Sequence, residues 1–462
     1  MIISGSPLHK VIVALREAGG LPLVVGGAVR DTILNKSIKD YDIEIHKLNA
    51  EQIERILSQF GSVDKVGAAF GVFKIAGWDV DFSVPRRDNK IGKGHKGFDT
   101  ECDPFMGIDE AAKRRDLTIN SMAYDPIDNK LFDPFGGRAD LEKKVLRATD
   151  PKSFLEDPLR ALRAAQFAAR FEMWADVELT ELCKEAALSE LPGERILPEF
   201  EKLLVKGKTP SIGLKFMRRA NLLRFFPELE VMVGCEQEYE WHPEGDVWDH
   251  TLLVVDAARG LTDDFIVMMS ALCHDMGKPL TTKFEDGRIR SLGHEDAGVE
   301  PTKKFLERLR APIDFTKAVT CLVKYHLSPH HFYTNGASSK AIRRLARHLA
   351  EASLTLREIE ILARSDHYGR RTPDAWTGEY PAGDWLLEKM KTLDITSVQK
   401  ASNCVVLGRH VLKRPGFKPG KIIGEILRAC QEYEDETGEK DPDRILDTVL
   451  SKFNFPDHRS EI

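Results

Sequence analysis

The first third of the chain mixes strand-like and helix-like patterning, whereas the remainder keeps the helical period. Leu21 to Val25 form an unbroken apolar run stopped by Gly26 and Gly27, the pattern of a strand buried on both faces that ends in a turn. Asp40 to Ile45, Val72 to Ala76 and Val80 to Val84 alternate polar with apolar residues, which predicts further strands with two unlike faces. From about Phe154 onward, FLEDPLRALRAAQFAARF, ERILPEFEKLLVKG and later segments space their apolar residues for helices, and an all-helical body is expected. Glu236 to Asp246, with its Trp, Pro and Gly, marks a joint before a helical unit starting near Trp248, and the Pro/Gly-rich stretch Arg371 to Gly383 marks another. The expected organisation is an α/β head at 1–145, a helical neck at 146–235, a second helical unit at 236–370 and a helical tail at 371–462. No tandem repeat or low-complexity tract interrupts it.

Composition narrows the setting. A chain of 462 residues exceeds one ordinary core and calls for several units that each bury their own apolar surface. With 42% hydrophobic and 30% charged residues and a mean hydropathy of −0.31, it has no apolar run that would span a bilayer, so no membrane partner is expected. The opening MIISGSPLHKVIVAL lacks the parts of a secretory leader. Cys102, Cys183, Cys235, Cys273, Cys321, Cys404 and Cys430 are scattered and form no CxxC, against a disulfide framework or a thiolate zinc site and in favour of the cytoplasm. A net charge of −6 means that any nucleic-acid partner must be held by local basic patches. Oligomeric state is not legible.

Side chains two apart on a strand point the same way, so Asp40 and Asp42 in KDYDIEIH aim two carboxylates at one side of the sheet. That arrangement suits two Mg2+ ions about 3.5–4 Å apart, one activating a hydroxyl and one steadying pyrophosphate. Upstream, LPLVVGGAVRDTIL reads strand, Gly26-Gly27, helix, a turn whose glycines let the backbone approach a triphosphate. Asp81 in WDVDFSVP faces away from Val80 and Phe82 and offers a third carboxylate. Alone, a D-x-D is more often an exposed strand edge; with a glycine turn before it and a later strand bearing a lone Asp, the metal reading prevails.

These features resemble the nucleotidyltransferase superfamily of DNA polymerase β. Together with KRRDLTIN (Lys113 to Asn120), DPFGGRADL (Asp133 to Leu141) and EDPLRALRAAQFAARF (Glu156 to Phe171), they are similar to the bacterial tRNA CCA-adding enzymes and their poly(A) polymerase relatives over roughly residues 20 to 205. The resemblance implies a polymerase β-like mixed sheet followed by an all-α neck, a helical HD domain and a helical tail. It places Gly26, Gly27, Arg30, Arg115, Asp116 and Arg163 around the nucleotide, with Glu156, Asp157 and Arg160 reading the base. Asp157 and Arg160, three apart on a helix, are expected to share a face. An ionised Asp only accepts hydrogen bonds and a guanidinium only donates. That pairing suits the amino and ring-nitrogen edge of C and A and mismatches U and G, at about 1–3 kcal/mol for each unpaired buried group. Gln166 replaces an arginine usual on this helix, while Arg163 and Arg170 remain. Glu44 and His46 continue the Asp40–Asp42 face, and Glu44 reads equally as a metal ligand or as a solvated strand end. The basic segment with Arg86, Arg87, Lys90, Lys93, His95 and Lys96 is expected to be a mobile loop, either gripping phosphates or simply solvated.

A second constellation lies downstream: His250 in WDHTLLVVDAA, His274-Asp275 in ALCHDMGK and Asp366 in LARSDHYGR. Imidazoles and carboxylates on separate helices close readily around one divalent ion. H…HD…D in that order resembles the HD phosphohydrolase superfamily, whose metal here would be Mn, Ni, Mg or Fe; His294 and His326 fall where a second metal or a phosphate would bind. In the CCA-adding family such a unit can hydrolyse phosphate esters such as 2′,3′-cyclic phosphates. In the tail, VVLGRHVLKRPGFKPGKIIGEIL offers an RNA phosphate its N–H groups and cations, or is a plain loop-to-helix junction.

The function expected from the resemblance is template-independent addition of C and A to the tRNA 3′ end from CTP and ATP, with tRNA as partner. CC-only, A-only or poly(A) addition is the nearest alternative. The alternatives of other classes are an HD phosphohydrolase with a nucleotide-sensing head and a non-catalytic RNA-binding protein.

Overall fold

The computed structural model describes residues 2–38, 40–65, 71–90, 98–399 and 405–452. The chain divides into two compact units, Met1–Pro227 and Glu228–Ile462.

The first unit is built on β1 (Leu21–Val25), β2 (Tyr41–His46), β3 (Val63–Lys65), β4 (Val72–Ile75), β5 (Val80–Ser83), β8 (Ala123–Asp125) and β9 (Lys130–Phe132); β6 (Arg86–Lys90) and β7 (Phe98–Cys102) form a separate hairpin. The seven-stranded sheet runs β3-β4-β5-β2-β1-β8-β9. Only β2 and β5 run parallel, with Asp42 opposite Asp81, and the other neighbours are antiparallel. The apolar β1 lies inside the sheet, and Leu23, Val25 and Ala123 pack there with Leu21, Ile108 and Phe132. On β5, Val80 and Phe82 are buried while Asp81 is half-exposed, so strand alternation delivers Asp81 to the open face beside Asp42. Asp40 sits just before β2 instead of on it.

Two expectations change here. Part of the basic segment expected as a mobile loop pairs in the β6–β7 hairpin, Arg86 opposite Cys102; Lys93, His95 and Lys96 lie outside the described residues. The body after Phe154 is not wholly helical either: Lys283–Glu285 and Arg288–Arg290 form a hairpin. It turns through Asp286 and Gly287, both at positive φ (52° and 78°), the conformation that favours Asp-Gly in two-residue hairpin turns.

The helix Leu159–Phe171 packs against the helices Gly193–Val205 and Pro210–Arg219. In the second unit, Asp246 caps the helix Val247–Leu261 by accepting the Asp249 N–H at 2.8 Å, and a reciprocal Thr355–Glu358 capping box starts Leu356–Gly369. These helices meet closely because Gly369 has no side chain: a Cβ there would lie 2.4 Å from Val254 Cγ2. Phe265–Cys273 packs between Val247–Leu261 and Ile313–Tyr325. Gly277 seats the following turn, where a Cβ would fall 2.0 Å from the His294 carbonyl oxygen and 2.6 Å from Gly298 N. In the tail, Val406, Val411, Ile426, Cys430, Ile445, Leu446 and Val449 form a small core of their own, and Asp435 pairs with both terminal guanidinium nitrogens of Arg347.

Candidate active sites

In the first unit the glycine turn and the carboxylates converge. Gly26 holds φ 71° and ψ −130°, and a Cβ on it would lie 2.8 Å from Arg115 Nη1 and 3.6 Å from Asp42 Oδ2. The turn therefore needs glycine for its backbone angle, while Asp42 stands at ordinary contact distance and the end of the Arg115 side chain fills the space beside it. Asp42 and Asp81 are side by side in register, Asp40 is exposed next to them, and Lys74 Nζ lies 2.7 Å from Asp81 Oδ1. The packed wall behind Asp42 raises its carboxyl pKa, and Asp81 and Asp40 push the same way against Arg115 and Arg114. Such mutually repelling carboxylates fit a divalent cation.

Glu44 is neither an open metal ligand nor a solvated strand end. It is buried, with Arg114 Nη2 at 3.1 Å, His46 Nε2 at 3.3 Å and Arg115 Nη2 at 3.8 Å. Burial alone would push its carboxyl up, but the hydrogen bond from His46 and the charges of Arg115 and Arg114 hold it down at about 2. Asp116 is also buried: its Oδ1 accepts from Leu117 N and Asn120 Nδ2 at 2.8 and 2.9 Å, and its Oδ2 from Arg163 Nε at 2.6 Å.

Arg30, expected at the nucleotide, is turned inward. Its Nε and Nη2 meet Asp31 Oδ1 at 2.9 and 2.8 Å, its Nη1 donates to Asn120 Oδ1 at 2.6 Å, and the guanidinium lies over Phe167 and Phe171. It braces the helix behind Gly27 against Leu159–Phe171. Gln166 is buried on that same helix and accepts from Arg170 at 3.3 Å.

Asp157 and Arg160 do not share a helix face. Pro158 caps the helix and leaves Asp157 before its first turn, where Oδ1 accepts from Leu159 N at 3.1 Å and Oδ2 from Arg195 at 2.8 Å. Arg160 instead donates to the carbonyls of Ser153 at 2.5 Å and Arg114 at 2.6 Å. Glu156 lies in the turn just before them, half-buried.

In the second unit His250, His274, Asp275 and Asp366 are all buried and meet. His250 Nε2 is 3.1 Å from Asp366 Oδ1 and 3.8 Å from Asp275 Oδ2, and His274 Nε2 is 3.2 Å from Asp275 Oδ2. His294 and His326 join them: His294 Nε2 lies 3.3 Å from Asp275 Oδ1 and 3.3 Å from His326 Nε2. Each ring's Nδ1 faces an acceptor: Glu244 Oε1 for His250, and the carbonyls of Ala271, Ser291 and Val323 for His274, His294 and His326, all at 2.7 or 2.8 Å. A ring that donates Nδ1–H to such an oxygen would leave its Nε2 lone pair directed into the cluster, the donor a divalent ion needs. Burial, with His294 and His274 nearby, pushes His326 down to about 3 and keeps it neutral. His274 Nε2 and both Asp275 oxygens lie outside any well-formed hydrogen bond, although Lys278 Nζ sits 2.7 Å from Asp275 Oδ2. Two donor sets, His250–His274–Asp275 and Asp275–His294–His326, each place their ligand atoms within 4.8 Å of one another. This chemistry fits divalent ions bridged by Asp275.

Glu244 escaped sequence reasoning. Its buried Oε1 accepts from His242 Nδ1 at 2.8 Å as well as from His250, and its Oε2 accepts from Arg371 N at 3.1 Å. The His-x-Glu spacing in WHPEGDVWDH was its only trace.

Residues 23–147 match the poly A polymerase head domain, and residues 247–370 match the HD domain. The chain is similar to the solved CCA-adding enzyme of Bacillus stearothermophilus in complex with CTP, at 21% identity over 96% of each chain with a TM-score of 0.68. It is also similar to the Thermotoga maritima CCA-adding enzyme complexed with tRNA-CCA, at 20% identity over 97% of this chain and 96% of that one, TM-score 0.60. A CCA-adding enzyme in complex with ATP aligns at 21% identity over 97% of this chain and 94% of its own, TM-score 0.62. The chain thus carries a nucleotidyltransferase head of the poly A polymerase type joined to an HD domain. As a whole it has the fold of the CCA-adding enzymes. Among the described residues no helix is long and apolar enough to cross a membrane.

Two predictions follow from these geometries. Because the Glu44 carboxyl falls from its ordinary 4.5 to about 2 on folding, its stabilisation is complete above pH 4.5 and is lost as pH falls through 2. That is about 3 kcal/mol. Chemical denaturation between pH 6 and 2.5 should therefore show Glu44→Gln destabilised at pH 6, with the gap to the parent narrowing in acid; a gap independent of pH would refute the ion-pair account. For the second site, Glu244→Gln turns an amide N–H toward one of two histidine N–H groups. Calorimetric titration with Mn2+ should show affinity lower by about 10–100-fold, and unchanged affinity would show that Glu244 does not orient His250.

Proposed function

We propose that this protein adds C and A from CTP and ATP to the 3′ end of tRNA, completing or repairing a CCA end, in a cytoplasmic setting that suits its free thiols. The observation that carries the reading is the in-register Asp42–Asp81 pair beside Gly26 and Arg115. Asp40, Asp42 and Asp81 would hold Mg2+, which would supply charge neutralisation where a 3′-hydroxyl attacks the α-phosphorus of the triphosphate and pyrophosphate leaves. Gly26 and Gly27 let the backbone approach the phosphates. Arg115 supplies a fixed positive charge at the turn, and Arg163 and Asn120 hold the adjoining Asp116 on the sugar side. Selection of C and A falls to Asp157 and Arg160, on either side of Pro158 with Glu156 adjoining. To engage a base, Asp157 exchanges its contact with Arg195, and Arg160 its contacts with Ser153 and Arg114. Base selection is therefore coupled to a local rearrangement.

The second unit is assigned to metal-dependent hydrolysis of phosphate esters. His250, His274, Asp275 and Asp366 would hold one divalent ion (Mn, Ni, Mg or Fe), and His294 and His326 share Asp275 around a second. The convergence of three Nε2 atoms on buried Asp275, with His326 Nε2 3.3 Å from that of His294, favours this reading over a purely RNA-binding body.

The test supplies tRNAs ending before CCA, after C and after CC, each with CTP or ATP alone. CTP should add two residues to the first and one to the second, and ATP one residue to the third. Asp42→Asn should slow every addition roughly a thousandfold, the loss of several kcal/mol of charge stabilisation, while the melting temperature does not fall, since the raised Asp42 carboxyl contributes no stability as an ion. Repeated A addition to non-tRNA RNA would replace CCA addition with polyadenylation, and normal addition by the variant would refute the carboxylate assignment.

A further inference from the structure

The HD cluster opens into a cavity of about 820 Å³. One side of its wall comes from the 236–246 segment, which contributes Trp241, and from the hairpin strand Arg288–Arg290. Lys278 and Arg370 reach the same cavity, so cationic side chains extend from the metal-binding residues to its mouth.

Two apolar residues that line this wall are unusually open: Trp241 is 54% exposed and Leu292 74%. Tyr239, two residues before Trp241, and Phe284, paired across the hairpin from the wall residue Ile289, are each 75% exposed. They are nevertheless not on loose chain. Glu238 Oε2 accepts the Ile289 N–H at 2.9 Å, Gln237 Oε1 accepts from Lys278 Nζ at 2.7 Å, and the N–H groups of Trp241 and His242 return to the Glu238 carbonyl at 3.1 and 2.9 Å. A backbone held this firmly while its aromatic faces stay in water is organised in advance for a partner. The cations there are only lightly committed: Arg288 meets Glu240 at 3.6 Å and Arg290 meets Asp286 at 3.6 Å. Exposed pairs of that length contribute little and exchange readily for phosphate. Glu238, Asp374 and Glu379 also line the cavity and oppose a simple polyanion, which favours a ligand that brings aromatic surface along with its charge.

We infer that the Trp241–Phe284 rim is a stacking platform for the 3′-terminal stretch of a single-stranded RNA, whose last phosphate enters the cavity toward the HD cluster. Unpaired bases present the flat faces that exposed aromatics accept, whereas a duplex hides them. The cavity has room for a terminal nucleotide, and Tyr239 and Phe284 extend the aromatic surface for the residues before it. Arg288 and Arg290 neutralise the backbone between rim and cluster. The inference deepens the phosphohydrolase reading of this site and rests on it.

Photo-crosslinking the full-length protein to a hexaribonucleotide with 4-thiouridine at its 3′ end, followed by peptide mapping, tests the platform without requiring turnover. Crosslinks are expected within 237–245 or 283–292. They should fall at least tenfold in Trp241→Ala/Phe284→Ala, while crosslinks to the 1–227 unit persist; both side chains are exposed, so the melting temperature should not move. Crosslinks confined to 1–227, or an undiminished yield in the double variant, overturn the platform. Hydrolysis of bis(p-nitrophenyl) phosphate with added Mn2+ reports separately on the metal site. Turnover without rim crosslinks sinks the platform alone, and rim crosslinks without turnover sink the phosphohydrolase reading alone.

Discussion

A single buried carboxylate organises the first unit. Glu44 stands two residues beyond Asp42 on β2 and gathers the guanidiniums of Arg114 and Arg115 at the end of the sheet. Removing one partner from such a group leaves a charge stranded in protein, which is far costlier than the bond is favourable. That asymmetry pins the segment Arg114–Asp116 in place. Arg115 then lies against Gly26, Asp116 holds Arg163, and the Arg114 carbonyl receives Arg160. Three consecutive residues thereby tie the carboxylate-bearing face, the glycine turn and the helix Leu159–Phe171 into one rigid frame.

The HD cluster reaches order by another route. Its histidines come from separate helices, and each is oriented by an acceptor at Nδ1 instead of by opposite charge at the reacting face. Three of those acceptors are backbone carbonyls within three residues of the ring, so the last turn of a helix or its approach fixes the tautomer. His250 lies in the first turn of its helix, and it borrows Glu244 from the preceding loop. The inner surface is thereby left electron-rich and poorly hydrogen-bonded, a condition that a divalent cation relieves.

Legibility in the sequence followed the range of the physics involved. The Gly26 turn and the common face of Asp42 and Asp81 depend on strand alternation and a conformation only glycine adopts readily, both visible locally. Alternation also told which way Glu44 points, but not that two arginines some seventy residues later would cover it. The inward turn of Arg30 was not legible because its partners, Asn120 and two phenylalanines, are equally remote. The shared helix face expected for Asp157 and Arg160 is missing for a local reason: Pro158 caps a helix that begins at Leu159, so the three-residue spacing straddles its end. Asp286-Gly287 was a usable hairpin signal, overlooked because the flanking strands are only three residues each. Glu244 had no signal beyond its closeness to His242.

Gly277 carries a consequence of a different kind. With the His294 carbonyl and Gly298 amide where a side chain would begin, this position couples the His274-Asp275 turn to the turn that supplies His294. Any larger residue drives those two turns apart without touching a ligand. A single missense change could then separate the halves of a shared cluster, leaving His250, His274 and Asp366 in place while the remaining pair drifts.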